Sequence, residues 1–158
     1  MISIEKLLNH MAWSNQKIFD EFSKLPDGVY ELTAADGEWP VGKILNHFIS
    51  AAEWFRYLLT GENWTDQPNV TNSELLLRAQ TYLGQLDQQI VGELAKPDGE
   101  ITFRGDSGTE ERTTRSLILS QAVMHTAEHK GQLAAILRQH GFHLDLDKYD
   151  LWNFQNQS

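Results

Sequence analysis

QAVMHTAEHKGQLAAILRQHG (residues 121–141) reads as a long helix with a terminal glycine stop, and it carries histidines at positions 125 and 129. Four residues advance an α-helix by about 6 Å and turn it about 40° past a full circle, so the two imidazoles project from one face on successive turns. Such a pair can chelate one metal ion. Ile118, Ala122 and Ile136 fall on much the same side as His125 and His129, which aims the pair at an apolar interior.

A second apolar helical segment, GKILNHFISAAEWFRYLL (residues 42–59), holds His47 at its middle, flanked by Ile44, Ala51, Phe55 and Leu58. A lone histidine in such a place is more often a core residue with one satisfied hydrogen bond than a ligand. Three imidazoles sharing one bundle interior are a different case, because without a metal their nitrogens would need several partners. An open metal site formed by His47, His125 and His129 is therefore expected.

Outward from these segments the chain reads as four helices. The first is expected from about Ile2 to Leu25, with Pro26-Asp27-Gly28 as its stop, and the second from Pro40 to Gly61, after an irregular acidic connection. A loop containing Asn63, Asp66, Pro68 and Asn69 leads to an N-cap at Thr71, Asn72 or Ser73. The third helix follows as SELLLRAQTYLGQLDQQIVGEL, closed by Pro97 and Gly99. EITFRGDSGTEERTT (residues 100–114) combines β-branched and aromatic residues with a turn cluster, which predicts a small β-hairpin or ordered loop. The fourth helix is expected from Thr114 to His140. The tail FHLDLDKYDLWNFQNQS is too aromatic for a simple disordered end. These readings give an all-α fold, a four-helix bundle with long connections that need not run simply up and down, forming a single domain over residues 1–158.

Composition narrows the partners. Thirteen Lys and Arg against twenty-two Asp and Glu give a formal charge of -9, which repels phosphate backbones and anionic lipid, so no nucleic-acid or membrane partner is expected. The start of the chain lacks the pattern of a secretion signal, and no stretch approaches the roughly 18 apolar residues needed to span a bilayer, which makes a cytoplasmic protein the expectation. The chain has no cysteine. Any reactive thiol must come from a small molecule.

The other candidates read more plainly. His140 complements the dipole at the end of the fourth helix, His143 lies in the tail, and His10 is offset from the Leu8-Met11-Ile18 stripe toward the surface or bundle edge. Trp39, Trp54, Phe55 and Tyr57 are expected in packing roles. Glu128 completes H-x-x-E-H, the inverted zinc-peptidase pattern in which the glutamate is general base, although a small bundle leaves little room for a peptidase cleft. Its expected role is a carboxylate beside the ligands, or a base.

The chain resembles the DinB/YfiT-like family of metalloenzymes, the damage-inducible DinB group, which is unrelated to the DNA polymerase of that name. LLNHMAWSNQKIFD is similar to the family's opening helix, VGKILNHFISAAEWFRYLLTG to its second helix with the central metal histidine, and ITFRGDSGTEERTTRSLILSQAVMHTAEHKGQ to its hairpin and fourth helix. Family members commonly close with H-x-x-H-H-R-G-Q; here Glu128 replaces a histidine and Lys130 an arginine. The resemblance implies a four-helix bundle, often a homodimer, with His47, His125 and His129 holding a divalent ion such as zinc, nickel or iron. It also implies a small-molecule substrate and a transferase that conjugates a low-molecular-weight thiol, such as bacillithiol or mycothiol, to an electrophile. A hydrolase using metal-bound water and a non-catalytic metal-binding stress-response protein are the alternatives.

Overall fold

In the computed structural model, Ser3 accepts a hydrogen bond from the Lys6 amide and starts α1 (Ile4–Phe22), which buries Leu8, Met11, Ile18, Phe19 and Phe22. Residues 3–155 are described, except Trp64, Asp66, Pro68 and Asp106; the expected first helical residue Ile2 and the expected loop residues Asp66 and Pro68 lie outside them. α1 ends three residues earlier than Pro26 alone predicts, its end tightening into i,i+3 bonds from the Lys24 amide to the Glu21 carbonyl at 3.2 Å and from the Leu25 amide to the Phe22 carbonyl at 3.0 Å. The connection read as irregular contains a 3-10 turn, Asp27–Glu31, that buries Val29 and Tyr30.

Pro40, extended at the cap position, starts α2 (Val41–Thr60), and Gly61 ends it with φ 73°, its amide bonded to the Tyr57 carbonyl. Gly42 permits a close approach here. A Cβ at that position would lie 2.2 Å from the Val70 carbonyl oxygen and 3.2 Å from that of Tyr30, so only glycine lets these backbones close over the first turn of α2. The chain after α2 is tied down by a buried ion pair. Glu53 and Arg56 are 1% and 4% exposed. Arg56 donates to Glu62 at 2.7 Å, to the Asn63 carbonyl at 2.6 Å and to Glu53 at 3.4 Å, while the Thr65 amide donates to Glu53 at 3.2 Å.

Of the three candidate caps, Asn72 is the one that accepts from the Leu75 amide and opens α3 (Ser73–Gly92). A short 3-10 turn, Glu93–Ala95, follows. Next come β1 (Glu100–Arg104) and β2 (Glu110–Thr114), an antiparallel pair with Glu100 opposite Thr114 and Arg104 opposite Glu110. The base of this hairpin is clamped to α4 (Arg115–Gln139). Asp98 accepts from the Ser116 amide and hydroxyl at 2.9 and 2.8 Å, Arg115 pairs with Glu93, and Thr114 caps the helix through the Leu117 amide.

α4 stops before Gly141, whose φ is 81°. The aromatic tail then folds back across α1 as a 3-10 turn, Leu146–Tyr149, and α5 (Leu151–Gln155). His10 Nε2 donates to the Tyr149 carbonyl at 2.8 Å, the Tyr149 hydroxyl donates to Glu21 at 2.7 Å, and Trp13 packs against both Tyr149 and Phe154.

α1 and α2 each pack mainly on α3 and α4. α1 and α2, and likewise α3 and α4, therefore stand at diagonal corners, whereas α2 and α3 are neighbours, and the connections within each diagonal pair cross the bundle ends. The result is a largely all-α fold with a core bundle of α1–α4 and a small antiparallel β-hairpin inserted between α3 and α4. Among the described residues, no helix is long and apolar enough to cross a membrane. Because α2 and α4 are spatial neighbours, His47 comes to face His125 and His129.

Candidate metal centre

His125 Nε2 lies 3.1 Å from His47 Nε2 and 3.2 Å from His129 Nε2. Protons alone serve this trio badly, since a ring nitrogen either donates one hydrogen or accepts through one lone pair, and the central Nε2 faces two others. A cation makes all three lone pairs productive. Bonds of about 2.0–2.1 Å at tetrahedral angles place neighbouring ligand nitrogens about 3.3 Å apart, close to the two distances observed. The potential ligand atoms of His47, His125 and His129 lie within 4.8 Å of one another, and His10, Glu128, His140 and His143 are outside the group. The three residues are thus a clustered site capable of coordinating a metal ion.

Each imidazole is held from behind. His129 Nδ1 lies 2.8 Å from Gln132 Oε1 and is its donor when Nε2 faces the cluster. Gln132 escapes a reading made only for ligands, although its i,i+3 spacing from His129 was a usable signal. Trp39 stands edge-on to His47 with ring centroids 5.1 Å apart, and Lys43 lies 4.4 Å above the Trp39 ring. Phe55 meets His125 edge-on. Burial pushes the His125 imidazolium down to about 4, helped by repulsion from His129 and His47, and burial likewise lowers His47. Both rings are therefore neutral near pH 7, as metal ligation requires.

His47 and His125 line a cleft of about 1000 Å³. On α2 the residues at i, i+3, i+4, i+7 and i+8 from His47, namely Ser50, Ala51, Trp54 and Phe55 after His47 itself, form one wall, while α4 contributes Gln121 and His125. The hairpin supplies Phe103, Gly105, Ser107 and Glu111. Trp54 and Phe55 thus do more than the packing expected of them. Trp54 meets Phe103 at 5.8 Å and stacks on Tyr57, so the hairpin turns an apolar helix stripe into the side of a cleft.

Of the remaining candidates, His140 donates from Nε2 to the Thr33 carbonyl at 2.8 Å, a tertiary tie beyond the helix-dipole role. His10 sits at the bundle edge, as its spacing predicts, and His143 and Glu128 are exposed. A buried polar network, not found from sequence, crosses the bundle beside the site. Asn15 donates to Asp87 at 2.8 Å and Lys130 to Ser14. Burial raises Asp87 and lowers Lys130, each shift eased by the charge of the other.

This architecture can be set beside known proteins. The model of the DinB family matches residues 1–151. The chain belongs to the DinB family. It is 26% identical to Protein DinB of Bacillus subtilis (strain 168), across 97% of this chain and 95% of that protein. The crystal structure of a DinB-like protein from Bacillus cereus ATCC 10987 covers 87% of this chain with 90% of its own, at a TM-score of 0.64 and 20% identity, a likeness of fold. The DinB fold here carries a clustered three-histidine site, consistent with a metalloenzyme.

Proposed function

We propose that this DinB-family protein binds a divalent ion through His47, His125 and His129 and conjugates a low-molecular-weight thiol to a small electrophile. The observation that carries this reading is the position of the cluster, at the wall of a large cleft in a chain without cysteine. His47, His125 and His129 would hold a zinc, nickel or iron(II) ion, which would supply a Lewis acid able to lower the pKa of a thiol. Trp54, Phe55 and Phe103 bind the apolar skeleton of the electrophile and exclude water. Ser50, Gln121 and Glu111 offer polar contacts at the same walls. In the conjugation a new carbon–sulfur bond forms, the leaving group departs with its bonding electron pair, and the thiol proton passes to solvent. Hydrolysis and metal binding without turnover are the competing readings.

The test adds small thiols to cobalt- or nickel-substituted protein. The expected result is a sulfur-to-metal charge-transfer band that imidazole suppresses, with a conjugation rate that tracks metal occupancy. Thiols that leave the spectrum untouched, with apo protein no better than thiol in solution, would end the transferase reading. Turnover of esters, amides or lactones without thiol would favour the hydrolase.

Glu128→Gln separates two roles for that carboxylate. Its i,i+1 relation to His129 points it about 100° away around the helix, so the variant is expected to retain metal and change turnover only a few-fold, well below the roughly 10²–10⁴-fold of general catalysis. Abolished turnover at full occupancy would make Glu128 the base and favour hydrolysis. We further take residues 1–158 as one cytoplasmic domain acting as a homodimer. Leu117 and Met124, two turns apart on α4 and 60% and 66% exposed, support the dimer.

A further inference from the structure

The outer nitrogen of His129 has a protein partner in Gln132. His125 has no such partner among the described residues. Its Nε2 is committed to the cluster, which leaves Nδ1 as the atom that must carry the ring proton when Nε2 presents its lone pair. A metal-ligating imidazole nearly always gives that second N–H to a carboxylate, a carbonyl or a water.

The bundle centre contains what this proton needs. A cavity of about 10 Å³ lies among all four helices, and its lining includes His125 and Thr126 from α4, Asn15 from α1, Asp87 from α3 and Phe55 from α2. Space of about 10–15 Å³ by this measure admits one water, and a buried water is stable when it has two to four polar partners. Three are present. Asp87 is 2% exposed and accepts from Asn15 Nδ2 at 2.8 Å, and Asn15 is 1% exposed, with its Oδ1 buried and without a hydrogen-bond partner. A buried acceptor left without a donor loses its hydration and gains nothing in return. Lys130 supplies a charge partner for Asp87, but it leaves the Asn15 Oδ1 without a hydrogen bond.

We propose that one buried water occupies this cavity, accepts from His125 Nδ1–H, and donates to Asn15 Oδ1 and to the Asp87 carboxylate. Asp87 and Asn15 are then positioning residues that fix the tautomer and orientation of His125 through the water, as Gln132 does directly for His129. The inference rests on the reading of the cluster as a metal site, but the water link has consequences of its own.

The experiment combines zinc titration with imidazole ¹⁵N and N–H spectra of full-length protein. Wild type is expected to show slowly exchanging Nδ1 protons on both His125 and His129. Asp87→Asn keeps the volume and removes the charge. It should move the His125 Nδ1 resonance, leave that of His129 in place, and weaken zinc binding roughly 10- to 100-fold. Gln132→Ala should move His129 and spare His125, a selectivity that a general loss of stability does not produce. If wild type binds zinc and Asp87→Asn changes neither the His125 resonance nor the affinity, the proposal is overturned. Should that variant fail to fold, crystals of the wild type decide. One water must lie within hydrogen-bonding distance of His125 Nδ1, Asn15 Oδ1 and Asp87, and a dry cavity or an Nδ1 proton bonded elsewhere overturns the link. Failure of wild type to bind zinc removes the metal reading instead, and the water is then judged in crystals of the metal-free protein.

Discussion

His125→Ala is expected to weaken zinc binding by on the order of 100- to 1000-fold, because structural sites with four protein ligands gain about 10–16 kcal/mol in all and each ligand carries a share of that. Wild type at a thousandfold excess over Kd gains about 4 kcal/mol from the bound ion. For a chain of this size that is roughly 8–16 °C in melting temperature, and the variant should lose most of it. His47→Ala and His129→Ala should behave alike. His140→Ala should keep the metal while losing about 1 kcal/mol for its bond to Thr33. Calorimetric titration against unfolding curves separates these outcomes, and full occupancy in the His125→Ala, His129→Ala double variant would falsify the site.

The same variant carries a pH signature. His125 is held at about 4, below the ordinary imidazole value of 6.5, mainly by burial. Between those values the unfolded chain takes up a proton that the folded chain refuses, so the metal-free protein loses stability as pH falls through this window. His125→Ala should flatten that part of the acid limb.

The second large effect is expected far from the cluster. Arg56→Ala leaves Glu53, 1% exposed, as an uncompensated buried carboxylate and releases the Asn63 carbonyl and Glu62. Removing one member of a buried pair typically costs about 3–5 kcal/mol, against a total stability of about 5–15 kcal/mol. Denaturant unfolding should show a loss of that size, together with proteolytic sensitivity after α2. Lys24→Ala, which breaks an exposed pair with Glu21, should change stability by less than about 1 kcal/mol. A loss below about 1 kcal/mol for Arg56→Ala would mean that the loop closes without its anchor.

The parts of the molecule that sequence made legible are those encoded at short range. The i,i+4 spacing of His125 and His129 is itself the geometry of the chelate, and Gly61, Asn72, Thr114 and Gly141 mark helix ends because their backbone or capping chemistry is local. Tertiary features were not legible. Asn15 and Asp87 meet across 72 positions, and no periodicity records that meeting. The i,i+3 spacing of Glu53 and Arg56 is equally that of a solvated helix pair, and their burial depends on Glu62, Asn63 and Thr65 folding back onto them. Trp54 and Phe55 were visible as an apolar stripe, but whether a stripe faces a core or a cleft depends on what lies opposite, here Phe103 on the hairpin.

That hairpin has a consequence for how the protein can change. Its strands are joined to the rest at their base by Asp98, Ser116, Arg115 and Glu93, while Phe103, Gly105, Ser107 and Glu111 reach the cleft without taking part in that clamp. The histidine cluster is built wholly on α2 and α4. The hairpin's share of the cleft wall is therefore separable from the histidine cluster, whereas the share of Ser50, Trp54, Phe55 and Gln121 lies on the same helices as the histidines. Under the proposed function, substitutions at Ser107 and Glu111 would alter one wall of the cleft while His47, His125 and His129 stay in place.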